Sequence, residues 1–191
     1  MDSTINEKII DETKYWMERA VIGLNLCPFA STVHVKNQIR YVISDAATHE
    51  SLLKDFMQEL EMLAEIPAEK VETALLIHPH VLTDFIEYND FLDVVDAALE
   101  DMDLEGELQV AGFHPQWQFA ETQPDDIENY TNRSPYPMLH ILREASVLQA
   151  VSAFPEADKI FEKNIETLRK LGHSGWSDLG LDKSVLRQKN K

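Results

Sequence analysis

Cysteine is almost missing from this chain of 191 residues, where Cys27 stands alone. One thiol cannot close an intrachain disulfide, and a lone free thiol suits a reducing compartment. Long apolar runs are missing as well. None approaches the roughly 18–20 residues that span a bilayer. The start, MDSTINEKIIDETKYW, lacks both the basic stretch and the apolar stretch of a secretion signal. The expected setting is therefore the cytoplasm, away from membranes. Positive charge is scarce over most of the chain. Residues 1–132 hold 7 Lys and Arg against 27 Asp and Glu, and none of the 7 falls between Val71 and Asn132. Residues 133–191 hold 10 against 7. An acidic surface repels nucleic-acid phosphates and anionic membrane faces, so nucleic acid is not an expected partner. No GxGxxG, no Gly-rich phosphate loop, no GxSxG elbow and no paired-cysteine metal motif occurs, and no cofactor is implied by motif.

What is present is an ordinary globular composition, 44% hydrophobic and 27% charged. The length suits one domain, expected over residues 1–176, with a basic, mobile tail over 177–191. The sequence sets no oligomeric state.

Apolar positions at helical spacing predict a first helix from Ile5 to Leu24. Pro28 blocks its continuation. Thr32–Lys36 and Ile39–Ser44 have β-branched or alternating character, and Asn37-Gln38 between them predicts a hairpin. A second helix capped by Asp45 or Thr48 runs to about Glu65. Glu72–Ile77 reads as a buried strand ending in His78-Pro79-His80. A third helix starts at Thr83 or Asp84 and runs to about Asp101. Leu108–Phe113 is another apolar strand, ending in His114-Pro115. A long aperiodic segment follows to Ser134. Pro137 suits the first turn of a fourth helix carrying Leu139, Leu142, Ala145 and Leu148. A fifth helix is expected from about Glu156 to Leu171. Alternating strands and helices predict an α/β fold, with α+β as the alternative: a small mixed sheet of three to four strands packed with about five helices. The two apolar strands, joined by one helix, have the pattern of a parallel pair, which brings His78 and His114 to one sheet edge.

Chemically able side chains concentrate between Gly112 and Glu144. At a helix start near Pro137, Arg133, Ser134, Tyr136 and Arg143 would form an anion pocket for phosphate or carboxylate. The plainer alternative pairs these arginines with Glu121, Asp125, Asp126 and Glu128. His140 and Arg143, three apart, would share one helix face. His114 and His140 are the acid/base candidates, with His114 otherwise a strand-end histidine bonding a loop carbonyl. Trp117 and Phe119 either wall the pocket or pin the loop to the core. Cys27 is a nucleophile or a buried small side chain. His78, His80 and His114 form a less favoured metal set.

The stretches NLCPFA (25–30), VAGFHPQWQFA (110–120) and NRSPYPMLHILRE (132–144) together resemble the DUF1415 family, over nearly all of the chain. The resemblance implies a bacterial cytosolic domain of this size and implies no activity. Cys-Pro-Phe-Ala is also similar to the active-site stretch of omega-class glutathione transferases, but that motif follows a strand, whereas a long helix precedes it here. The leading expectation is a small enzyme acting on a small anionic metabolite. The alternatives are a non-catalytic anion-sensing or protein-interaction domain and a metal-dependent hydrolase using the strand-end histidines.

Overall fold

The structure is a computed structural model that describes residues 3–153 and 159–181. Four strands form one mixed sheet: β1 (Ile39–Ile43), β2 (Thr73–Ile77), β3 (Leu108–Phe113) and β4 (Met138–Arg143). Their spatial order is β1-β2-β4-β3. β1 and β2 run parallel, while β4 is antiparallel to both β2 and β3. With α1 (Ser3–Trp16), α2 (Ala30–Val35), α3 (His49–Glu65), α4 (Phe85–Asp101), α5 (Glu144–Ala153) and α6 (Ile160–Asp178) this is the expected α/β architecture. No helix among the described residues is long and apolar enough to cross a membrane.

The two middle strands divide the core by their alternation. Ala74 and Leu76 of β2 and Leu139 and Ile141 of β4 face α3 and α4, packing on Phe56, Leu60 and Phe91. Leu75, Ile77 and Met138 face the other way, onto Ile9, Trp16 and Met17. All five residues of β2 are buried, as its apolar run predicts. Caps sharpen the two long helices. Thr48 Oγ1 accepts from the Ser51 N–H ahead of α3, and Asp84 accepts from Ile86 and Glu87 N–H ahead of α4. The first helix extends as expected, but its last turn widens into a π-helix over Met17–Ile22.

Four expectations are corrected. No hairpin forms at Asn37-Gln38: Ala30–Val35 is helical, and β1 pairs in parallel with β2. No helix starts at Pro137. Residues 138–143 are a strand, because β2 and β3 each present an open edge that only a strand can pair. β2 and β3 do run in one direction, but β4 lies between them, so they are not a neighbouring pair. The last helix runs past Leu171 to Asp178, bending at Gly172 (φ 65°). Its expected start at Glu156 lies outside the described residues, as does the expected tail of residues 177–191 from 182 on; Ser177 and Asp178 close this helix, and Leu179 and Leu181 pack against the core.

Candidate functional site

His78 and His114 do emerge at one sheet edge, since β2 and β3 share a direction. Both are sealed there. His114 is fully buried. Its Nδ1 accepts from the Gln116 N–H at 3.0 Å, so its Nε2 carries the proton and donates to Leu82 O at 3.2 Å. Leu82 offers that carbonyl from a left-handed conformation, φ 53°. With both nitrogens bonded to backbone, His114 pins the β2–α4 loop to the end of β3. Burial lowers its pKa. His78 donates from Nδ1 to Val81 O at 3.0 Å and stacks on Tyr88. Burial pushes its pKa down to about 4. His80 points into solvent. The three histidines thus do not assemble, and no group of three metal-holding side chains exists among the described residues.

The anion pocket expected of Arg133, Ser134, Tyr136 and Arg143 is not assembled either, because the helix it needed is a strand. Arg133 Nε donates to Trp117 O at 3.2 Å and Nη2 donates to Pro124 O at 2.5 Å. Its guanidinium lies 4.3 Å from the centre of the Tyr130 ring. It ties down the long loop through carbonyls rather than through the nearby carboxylates. Trp117 packs against Gly112, Tyr88 and Phe85, and Phe119 meets Trp117 edge-on, so both pin the loop to the core. Ser134 Oγ donates to Tyr136 O at 2.6 Å, shaping the turn before Pro137. Tyr136 Oη donates to the Glu12 carboxylate. Arg133 and Ser134 also line a hollow of about 330 Å³, but Glu12 faces the same space and offsets the arginine.

β4 sends His140 and Arg143 to opposite faces. Arg143 Nη2 reaches Leu63 O (2.9 Å), Ile66 O (2.6 Å) and Val71 O (3.1 Å), at the carboxyl end of α3. A cation there meets the negative end of the helix dipole. Arg143 pairs with Leu108 in the sheet register and His114 follows Phe113, so the two lie at opposite ends of β3. No single small ligand meets both.

His140 looks onto the α1 side. Its Nε2 is 2.7 Å from Thr73 Oγ1, and that hydroxyl donates to Ile141 O at 2.6 Å. Burial pushes the His140 pKa down to about 4. The ring lines a cleft of about 410 Å³. Trp16, Met17 and Val21 wall the cleft from α1 and its π-turn; Cys27, Ala30 and Val33 close a second side. Phe113 and Leu75 rise from the sheet, and Val147 and Ala150 of α5 form the remaining wall. Thr32, Lys36, Gln38, Glu72, Arg143, Ser146 and Gln149 add polar groups to its lining. Burial raises the Cys27 pKa, while hydrogen bonds from the Phe29 and Ala30 N–H groups pull it back in part. The cleft therefore holds a neutral imidazole and a protonated thiol near pH 7.

Of the expected site residues, Cys27 and His140 share this cleft and Arg143 touches its edge. His114, Arg133, Ser134, Tyr136, Trp117 and Phe119 lie elsewhere. The sequence offered no signal for Thr73 or Phe113 as site residues, because the β2–β4 and β3–β4 pairings bring them to His140. It gave none for Asn129, whose fully buried amide organises the loop: Oδ1 accepts from Phe119 N–H and Thr122 Oγ1, and Nδ2 donates to Gln123 O.

Against known proteins, residues 8–178 match the family described as "protein of unknown function (DUF1415)". No curated protein and no solved structure matches the chain. The chain belongs to the DUF1415 family.

Proposed function

We propose that this member of the DUF1415 family binds a small, mainly apolar molecule in the Cys27–His140 cleft, with an anionic group of that molecule at the mouth near Lys36. The observation that carries the reading is the cleft itself. At about 410 Å³ it falls within the range of small-ligand sites, with a mainly apolar lining. The π-turn supports it, since such turns recur at functional sites and this one bears Met17 and Val21 on the wall. Lys36 supports the anionic end. A cytoplasmic setting belongs to the same reading and is supported by the single free thiol.

Binding is favoured over catalysis by the protonation states. A histidine of pKa about 4 is a weak base, and a thiol of raised pKa is a poor nucleophile at neutral pH. The enzyme reading retains one specific support, the presence of Cys27 and His140 in one cleft. Its mark is conversion of the bound molecule, abolished in Cys27→Ser or His140→Gln with binding retained.

The test is thermal unfolding with a panel of small aromatic and branched carboxylic acids, on the wild type and on Val33→Trp, which fills the cleft from its partly exposed wall. A cleft ligand raises the wild-type midpoint by mass action and leaves the filled variant unmoved. Acids that stabilise both alike, or a panel that stabilises neither, count against the reading.

A further inference from the structure

We infer that the ligand of this cleft enters with a hydrogen-bond donor leading, a hydroxyl or N–H group, and carries its anionic group at the trailing end. This rests on the ligand-binding reading of the same cleft. The Thr73 hydroxyl has one proton, and Ile141 O, 2.6 Å away, can only accept. That proton therefore lies toward Ile141. His140 Nε2 is 2.7 Å from the same oxygen, a distance that requires a proton between them. The imidazole must supply it. A neutral ring with its proton on Nε2 presents a bare lone pair at Nδ1. No hydrogen bond among the described residues reaches Nδ1. Nor is it among the sealed, unpartnered side-chain atoms of the described residues, which are Asn6 Oδ1, Glu72 Oε1, His78 Nε2, Trp117 Nε1 and Arg143 Nε. Nδ1 thus opens on the cleft that the ring lines.

The consequence is directional. A hydroxyl or N–H at the inner end of the ligand pairs with Nδ1. A methyl group leaves the acceptor unpaired, and a carboxylate or phosphate sets lone pairs against a lone pair. The histidine that the sequence offered as an acid/base candidate is here an acceptor that turns anions away. The mouth differs: the exposed Lys36 stands at its rim with Glu72. Arg143 is held by three backbone carbonyls, so Lys36 is the cation free to follow an anionic group. The ligand class is a small aromatic or branched acid with a hydroxyl or N–H at the end remote from its carboxylate. Thr73 is the positioning residue that sets this polarity.

Two probes of equal size test it, 4-hydroxybenzoate and 4-methylbenzoate, which differ only in the inner group. The full chain is labelled with ¹⁵N-histidine, and the His140 signals are assigned from their loss in His140→Gln. The free protein is expected to carry the proton on Nε2. 4-Hydroxybenzoate is expected to move the Nδ1 signal and to bind about tenfold tighter than 4-methylbenzoate, the worth of one buried hydrogen bond. Thr73→Val lets the ring take either tautomer and is expected to cut that preference to about twofold, while Thr73→Ser keeps it. A proton found on Nδ1 overturns the inference, as does equal or tighter binding of 4-methylbenzoate with His140 still responding. If neither probe moves His140 or shields Cys27 from alkylation at millimolar concentration, the cleft reading itself fails and the inference with it.

Discussion

Arg143→Met separates a structural cation from a ligand-holding one. The substitution keeps an apolar stem and removes the guanidinium. Nη2 has two N–H groups shared among Leu63 O, Ile66 O and Val71 O, so at most two full bonds are lost. A net hydrogen bond involving a charged group contributes roughly 1.5–3 kcal/mol, which bounds the loss near 3–6 kcal/mol. The end of α3 gains some water once the side chain is gone, which recovers part of this, and the expected cost is about 2–4 kcal/mol. For a chain of this size that lowers the thermal midpoint by about 5–15 °C. Urea unfolding of the two proteins reads the difference as a shift in midpoint at constant m-value. An arginine kept unpaired to await an anion would behave in the opposite way: its removal leaves stability unchanged or raises it. A measured loss below about 1 kcal/mol, or any gain, would refute the assignment of Arg143 to the end of α3.

Further outcomes follow from the same geometry. His78 and His140 have folded pKa values of about 4 against an ordinary 6.5, so the unfolded chain binds their protons first. Their stabilisation is full above pH 6.5 and is lost as pH falls toward 4, up to about 3 kcal/mol for the fully buried His78 and less for the cleft-facing His140. Unfolding midpoints measured across that window should fall with acidification and fall less steeply in His140→Gln. Asn129→Ala strips the loop of its buried amide and is expected to cost about 2–4 kcal/mol; limited proteolysis should then cut first within residues 116–131, and unchanged protection there would contradict the role. Cys27 should react slowly with iodoacetamide at pH 7, faster as pH rises past the usual thiol range, and more slowly when the cleft is occupied. Rapid alkylation at neutral pH would show that the thiol's pKa is not raised.

Much of the fold is local and was therefore open to reading. α3 and α4 carry one apolar stripe each behind a capping side chain, Thr48 or Asp84, and β2 is an unbroken apolar run. Periodicity and capping act within a few residues, so they survive in the sequence. The candidate site was less open. Met138–Arg143 alternates and also repeats at three, and Pro137 suits a strand start as well as a helix start. Thr32, Val33 and Val35 favour a strand by propensity but lie on a short helix at the cleft. Arg133 stood out as the first cation after a long acidic stretch, yet its partners are backbone carbonyls, which no side-chain pattern encodes.

By itself the sequence determined an acidic α/β fold, two capped helices, one buried strand and one apolar strand, and a common edge for His78 and His114. Only the tertiary structure decided where the histidines sit and what they bond. β4 became a strand because β2 and β3 offered it hydrogen bonds on both sides, from positions remote in the chain. That pairing set His140 against Thr73, turned Arg143 to the other face, and brought Cys27 and His140 to one cleft. Backbone pairing across such distances depends on which edges are left unpaired, a property of the assembled sheet and not of any one segment.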